Sequence, residues 1–418
     1  MRFIHTADIH LDSPFAGLSD KTDAPVERLK GCTRQALSSL VDYAIEEAID
    51  FMVVAGDLYD GNWRDYATGL YFVQQMGRLG RHGIPVYVLH GNHDAESRIT
   101  RKLTMPENVY VFPAKQPHTH HLREHRVALH GQSFPSPAVT ENLARTYPQA
   151  VRGCFNIGVL HTAVGGREGH ANYAPCTVAD LVAKEYDYWA LGHIHAREVL
   201  HEHPHIVFPG NLQGRNIRET GSKGFTVVTV EEQRIKTVEH VPADVVRWSN
   251  ANVDTAGCID ADDAIGRAAK VFADEVDTAD GRLLVLRVTF SGRTNLDSYF
   301  RDHPDTLLAE CRAAASAVSE DIWIEKVRTE TNPVHDVNAA ASRPDAIGAL
   351  VRSVDDLKRD EADLAALTAE LEKLLGKMPE DLGRDASSIK RLEGEHLAAI
   401  IEDAKILLVN RLLEGAAE

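Results

Sequence analysis

Residues 5–10, His5-Thr6-Ala7-Asp8-Ile9-His10, follow Arg2-Phe3-Ile4 and place an acid and an imidazole two positions apart where a buried strand should be ending. In an extended segment, residues i and i+2 project to the same face, so Asp8 and His10 can aim at one point. Two such residues are half of a site, and the rest must come from other strand ends. FMVVAGD (51–57), IPVYVLHGNHD (84–94), FNIGVLHTAV (155–164) and YDYWALGHIH (186–195) each read as a short buried strand. All are rich in β-branched or aromatic residues and close on glycine or a polar cluster. Between the first two candidate strands, Val26, Leu29, Leu37, Leu40, Val41, Ala44, Ile45 and Ala48 recur at helical spacing. That alternation is βαβ logic and predicts an α/β domain on a parallel or mixed sheet. GFTVVTVEEQRIKTVEHVP (224–242) reads as a hairpin that closes this domain, giving it the bounds 1–245.

From 246 to 331 the pattern is strand, helix, strand, helix, strand: VVRWSNANV, DDAIGRAAKVFADEV, RLLVLRVTF, TLLAECRAAASAV and IWIEKVRT. This predicts a second, smaller α/β unit. Residues 332–344, with two prolines and many small side chains, read as a linker. Residues 345–418 carry two amphipathic stripes separated near GKMPEDLG (376–383). One runs through Ile347, Leu350, Val351, Val354, Leu357, Leu364, Leu367, Leu371 and Leu374; the other runs through Ile389, Leu392, Leu397, Ile400, Ile401, Ala404, Leu407 and Leu408. The two stripes can bury one another or lie along a partner's coiled coil.

A chain of 418 residues exceeds one ordinary core. Hydrophobic residues make up 44% and charged ones 26%, without an apolar run long enough to cross a bilayer, so no membrane is expected. The start MRFIHTAD lacks the apolar stretch of a signal peptide, and five singly scattered cysteines fit a reducing compartment better than a zinc ribbon. A cytoplasmic location is the expectation. The net charge of −17 weighs against a surface that attracts nucleic acid everywhere, so any phosphate-seeking field must be local.

The strand ends supply that field. Asp8 and His10, Asp57, Asn92 and His93, His161, and His193 and His195 all fall at such ends, three of them preceded by glycines (Gly56, Gly91, Gly192) that suit tight turns. Seven of the eight can be dealt to two cations. One takes Asp8, His10 and His195, the other takes Asn92, His161 and His193, and the Asp57 carboxylate bridges them. One shared carboxylate holds two cations about 3.5–4 Å apart, the separation with which two-metal hydrolases clamp a phosphoryl group. Two divalent ions bring +4 and the two carboxylates −2, leaving charge for a hydroxide and a phosphodiester anion. Oxygen and nitrogen donors without sulfur suit Mn, Fe or Zn. His93 is the remaining imidazole, placed to protonate a leaving alkoxide, with Asp60 or Asp94 to orient it.

Taken in order, DIH, GDLYD, GNHD, LHT and GHIH resemble the signature of the calcineurin-like metallophosphoesterases. HTADIHLDSPF, AGDLYDGNWRDY, HTAVGGREGHANYAPC and DYWALGHIHAREV more narrowly resemble the YhaO-like DNA repair exonucleases, relatives of the SbcD nuclease subunit. The motifs cover about residues 1–225. The resemblance implies a four-layer αββα sandwich with a dimanganese site, a smaller α/β capping domain that helps hold DNA, and C-terminal helices that dock an SbcC-like coiled-coil ATPase. It implies the metal ligands Asp8, His10, Asp57, Asn92, His161, His193 and His195 and the catalytic histidine His93. Many relatives carry a histidine where this chain has Asp60. The phosphatase motif GDxxDRG is replaced by GDLYDGN, which speaks against a phosphoprotein substrate.

The expected function is a two-metal DNA phosphodiesterase, an exonuclease or endonuclease of double-strand-break repair. Its expected partners are DNA, an SbcC-like ATPase and a second copy of the chain. The competing expectations are a cyclic-nucleotide phosphodiesterase and a catalytically silent scaffold. The histidine-rich stretches HTHHLREHRVALH and HEHPH read as solvated edge-strand residues, and Arg64, Arg98 and Arg167 as candidate contacts to backbone phosphate.

Overall fold

The computed structural model describes residues 1–14, 25–29, 31–60, 66–96, 103–165, 173–334, 340–357 and 361–375, with 397, 398, 400–402, 404, 405, 408, 409 and 412. Arg64, Arg98, Arg167 and the 376–383 break lie outside the described residues. In chain order the strands are β1 (Arg2–Thr6), β2 (Phe51–Ala55), β3 (Val86–Leu89), β4 (Val109–Val111), β5 (His118–Leu122), β6 (Val127–Gly131), β7 (Phe155–His161), β8 (Tyr188–Gly192), β9 (Glu198–Glu202), β10 (His205–Phe208), β11 (Gly224–Glu231) and β12 (Arg234–Pro242). The helices among them are α1 (Val26–Leu29), α2 (Cys32–Glu46), α3 (Tyr66–Arg81), α4 (Asn92–Glu96) and α5 (Val178–Val182).

Two six-stranded sheets result, ordered β12-β11-β1-β2-β3-β4 and β5-β6-β7-β8-β10-β9. In the first, β1 to β4 run parallel with Phe3 opposite Phe51 and Ala55 opposite Leu89, and the β11–β12 hairpin adds antiparallel to β1. In the second, β6, β7, β8 and β10 run parallel, with His161 opposite Gly192. The central strands β2, β3 and β8 are continuous apolar runs because both faces of each sheet are covered there. In β2 the alternation is plain. Phe51, Val53 and Ala55 face a core shared with Ile157, Val159 and Tyr188 of the second sheet, whereas Met52 and Val54 face Leu37, Leu40 and Val41 of α2 and Phe72 and Met76 of α3. On the far side, Leu160, Trp189 and Phe208 pack against Leu143 and Leu181 of short helical segments. The layers are therefore helix, sheet, sheet, helix, as the motif resemblance implies.

The contacts divide the chain into two compact units, residues 1–250 with 272–287 and 315–325, and residues 251–271 with 288–314 and 326–418. A third sheet, ordered β13-β14-β15, is built from β13 (Val246–Asp254), β14 (Leu283–Arg293) and β15 (Ile322–Asn332), with α6 (Ala261–Ala279), α7 (Asp297–Asp302) and α8 (Pro304–Val318) between them. The strand-helix alternation read from sequence is present, with α7 as an addition too short to leave a periodic signal. In the second unit, helices Ala346–Leu357 and Glu361–Leu375 pack Val354, Leu357, Leu364, Leu367 and Leu371 against Leu397 and Ile401, so the two C-terminal stripes meet where they are described; Ile389, Leu392 and Leu407 lie outside the described residues. Among the described residues no helix is long and apolar enough to cross a membrane.

The histidine-rich stretch departs from its expected solvation at one residue, His130, while His118 and His121 are exposed. HTHHL and VALHG form the antiparallel pair β5–β6, and His130 is fully buried, its ring nitrogens 2.9 Å from Thr119 Oγ1 and 3.1 Å from Asn156 Oδ1. Every residue of β6 is buried, so both of its faces are covered, and a buried imidazole needs partners at both nitrogens. Burial pulls its pKa down to about 4.

Candidate metal centre

The parallel strands of both sheets deliver their carboxyl ends to one place, which is where open α/β sheets bind ligands. Asp8 follows β1, Asp57 follows β2, Asn92 opens α4 after β3, His161 ends β7 and His193 follows β8. The loops after β1 and β2 stay paired beyond the sheet, through Asp8 N–H to Gly56 O (3.0 Å) and His10 N–H to Asp57 O (3.1 Å). Four of the candidate ligands sit at positive φ: Asp8 at 51°, His10 at 43°, Asp57 at 54° and His193 at 104°. Such conformations cost non-glycine residues roughly 1–3 kcal/mol each and persist only where surrounding structure enforces them.

Two donor clusters form, and Asp8 belongs to both: Asp8, His10 and His195, and Asp8, Asp57 and His161. In the first cluster His10 Nε2 lies 3.3 Å from His195 Nε2, which in turn lies 4.0 Å from Asp8 Oδ1. The opposite ring nitrogens are already committed. His10 Nδ1 donates to Asp60 Oδ1 at 2.7 Å and His195 Nδ1 donates to Glu219 Oε1 at 2.8 Å. Both Nε2 atoms therefore present lone pairs to each other, an arrangement that calls for a cation between them. Ligand atoms about 2.0–2.1 Å from one ion stand about 2.9–3.4 Å apart at tetrahedral to octahedral angles, so the observed spacing suits a shared ion.

The second cluster repeats the design. His161 Nδ1 donates to Ala55 O (2.9 Å), which turns Nε2 toward Asn92 Oδ1 (3.0 Å) and Asp57 Oδ2 (3.3 Å). Asp57 Oδ2 also lies 4.0 Å from His10 Nε2, so one oxygen faces both clusters, while Oδ1 accepts the His93 N–H at 3.1 Å. His193 donates its backbone N–H to both Asp8 oxygens (3.1 and 2.9 Å) and sets its ring 5.3 Å from that of His161. The half-buried His93 ring stands edge-on to His10 at 5.1 Å. All eight candidates thus meet at one centre.

The glycines before the ligands serve mainly another purpose than turning. Only Gly56, at φ +100°, has the left-handed conformation. A Cβ on Gly56 would stand 2.4 Å from His161 Nδ1, one on Gly91 2.9 Å from His161 Cε1, and one on Gly192 2.8 Å from His161 Nδ1. Together they form the seat of one imidazole.

Asp60 does not orient His93. Its carboxylate is bonded to His10 Nδ1 and paired with Arg215 at 3.5 Å, because the loop after β2 runs beside the one after β1. Asp94 also serves elsewhere, accepting the N–H groups of Leu58, Tyr59 and Gly91 and so tying the loops after β2 and β3 together.

Electrostatically the centre asks for positive charge. Burial opposes ionisation of Asp57, yet the charge and hydrogen bond of His161 hold its carboxyl well below the usual carboxylate range. In His161 burial opposes the proton, but Asp57 lifts the imidazole to about 9, so a proton takes the place a cation would fill. Burial and the Asp57 charge raise Asp94 to about 8. Burial would raise Asp60, but its bond to His10 and the nearby Arg215 bring it to about 2.

Sequence reasoning missed the carboxylate behind His195. Glu219, in PGNLQGRNIRETG (209–221), also accepts from Asn211 Nδ2 (2.9 Å) and the Arg215 N–H (2.8 Å), and Lys223 Nζ holds the His195 carbonyl at 2.9 Å. The available signal was an Arg and a Glu four apart in a glycine-rich loop after a strand. The donor set is oxygen and imidazole nitrogen with each Nδ1 of His10, His161 and His195 braced by an acceptor, the outer support that metal-binding histidines require. Divalent ions fit it.

Residues 1–197 match the calcineurin-like phosphoesterase family, and residues 248–332 match the middle domain of metallophosphoesterase YhaO. Over 258 residues the chain is 41% identical to a Bacillus subtilis (strain 168) protein described as the uncharacterized metallophosphoesterase YhaO. That match takes in 61% of this chain and 63% of the relative, so the chain spans a little under two thirds of the relative's length. Among solved structures, Thermus thermophilus protein TT1561 aligns at a TM-score of 0.35 and 12% identity, over 57% of this chain and 98% of its own. A dimetal phosphatase from Danio rerio aligns at 0.35 and 14%, over 58% and 97%. Both donor clusters at the strand ends lie within residues 1–197, the stretch that matches the calcineurin-like phosphoesterase family.

Proposed function

We propose that the chain is a two-ion phosphodiesterase acting on DNA. The observation that carries the two-ion part is the pair of facing Nε2 lone pairs of His10 and His195, joined through Asp8 and Asp57 to the cluster around His161. In this reading Asp8, His10 and His195 would hold one ion, Asn92, His161 and His193 the other, and Asp57 would serve both. Divalent ions held there, Mn²⁺ being the expected pair, would supply Lewis acidity toward a phosphoryl group and an activated water at neutral pH. The chain's own residues do the remaining work. Ala55 O, Asp60 and Glu219 fix the tautomers of three imidazoles, and the buried strand ends exclude bulk water. As the P–O bond to the leaving group breaks, His93 donates its proton to the departing alkoxide.

DNA as substrate is supported by the motif resemblance over residues 1–225 and by the YhaO-type middle domain, which a small-molecule enzyme does not need. The same reading divides the chain into a nuclease domain (1–245), a capping domain (246–331), a linker (332–344) and a helical region (345–418) that docks an SbcC-like ATPase in the cytoplasm. The test uses the full chain with Mn²⁺ on linear duplex, hairpin, single-stranded and closed circular DNA, alongside cyclic nucleotides. End-dependent degradation abolished by EDTA is expected. Rapid turnover of a cyclic nucleotide with every DNA left intact would replace the DNA reading.

A further inference from the structure

The carboxylates that brace the two imidazoles of the first cluster are themselves joined. Arg215 places Nη2 3.0 Å from Glu219 Oε1, Nη1 3.5 Å from Asp60 Oδ1 and Nη1 3.3 Å from Ser13 Oγ. Its side chain is only 14% exposed, and those of Asp60 and Glu219 are 24% and 10% exposed. Glu219 holds His195 and Asp60 holds His10, so one planar guanidinium spans both supports from a residue beyond the family match at 1–197. A guanidinium fixes the angle between two carboxylates in a way that an ammonium cannot.

We propose that Arg215 is a positioning residue, clamping Asp60 and Glu219 so that His10 and His195 hold their Nε2 atoms at the spacing one cation needs. The proposal rests on the two-ion reading above. Arg215 Nη2 also lies 3.2 Å from His195 Nδ1, so Arg215 reaches the ion through these two carboxylates and that imidazole, which sets two opposed expectations. As a bare positive charge it repels a cation, so its loss should tighten binding; as a clamp its loss should weaken binding at this cluster and spare the one around His161.

The experiment titrates metal-free full-length chain with Mn²⁺, reading free Mn²⁺ by electron paramagnetic resonance, for wild type, Arg215→Lys, Asp60→Asn and the double variant. Wild type should bind two ions, and a chain that binds none removes the two-ion reading itself. Arg215→Lys keeps the charge and loses the fork, so one of the two ions should bind about tenfold more weakly, the lower end of what outer-sphere partners of metal ligands contribute, with the other unchanged. Because Arg215 works through Asp60, the losses in Arg215→Lys and Asp60→Asn should combine to less than their sum. Unchanged or tighter binding of both ions in Arg215→Lys, equal weakening of both, or strictly additive losses would each overturn the clamp. Should Arg215→Lys melt below the assay temperature, Arg215→Gln with its unfolding midpoint measured replaces it; there loss of the charge alone would tighten binding, so weaker binding of a single ion is again required.

Discussion

Gly192→Ala tests the claim that the glycines exist to seat His161. The added Cβ would stand 1.9 Å from the Ala55 carbonyl oxygen and 2.8 Å from His161 Nδ1, where ordinary contact begins at 3.4 Å, so the first pair must separate by 1.5 Å. Neither side yields cheaply: Ala55 is in β2 of one sheet and Gly192 in β8 of the other. Moving them apart also breaks the 2.9 Å bond from His161 Nδ1 to Ala55 O, which aims Nε2. Overpacking costs about 1–3 kcal/mol and a buried hydrogen bond left unmade about 1–3 kcal/mol, so the loss should be about 2–6 kcal/mol. Gly77→Ala is the control. It lies inside α3, a Cβ there meets nothing within 4 Å, and it should be neutral or stabilising by up to about 1 kcal/mol. Urea midpoints and bound Mn²⁺ per chain, measured with and without EDTA, separate the two. If Gly192→Ala matches wild type in midpoint and metal content, the seat does not depend on this glycine and the reasoning fails.

Asp57→Ala should remove activity together with most bound metal because its Oδ2 faces both clusters, whereas His93→Ala should keep near-normal metal and lose turnover of a simple diester; full turnover would end the assigned role of His93. Buried His130, with its pKa at about 4 against an ordinary 6.5, contributes stability that is complete above pH 6.5 and lost as the pH falls through 4. This amounts to about 3 kcal/mol, and His130→Gln should flatten that part of the urea-midpoint profile, an unaltered slope counting against it. A chain ending at Arg343 should stay soluble, hydrolyse the small diester and no longer bind an SbcC-like ATPase. Aggregation or metal loss would instead assign the later helices to the catalytic core.

The centre was legible where side-chain chemistry coincided with a strand end. Asp8, Asp57, Asn92, His161 and His193 each follow or end an apolar run, and polar residues in such places are hard to explain otherwise. What stayed hidden depends on the third dimension. The bond from His161 to Ala55 O involves a backbone atom that every residue carries. Glu219 is distant in sequence from the histidine it supports, and Asp60 meets His10 rather than His93 because of how two loops pair. The three glycines were visible, but a close approach leaves the same letter as a turn. His130 was misjudged because composition alone does not say that both faces of β6 are covered.

The position of β1 has a consequence for synthesis. It lies between β2 and β11, and its register pairs Arg2 with Thr229. At roughly 5–20 residues per second, the chain leaves the ribosome with one edge of β1 unpaired for about 10–45 s before its second neighbour exists. That strand offers Phe3 on one face and Ile4 on the other and carries, just beyond its end, Asp8 and His10, whose partners His193 and His195 follow β8 and have also yet to be joined. Throughout that interval RFIHT is an open template for a neighbouring nascent chain. Crowded translation is therefore a condition that exposes this protein to misassembly through β1.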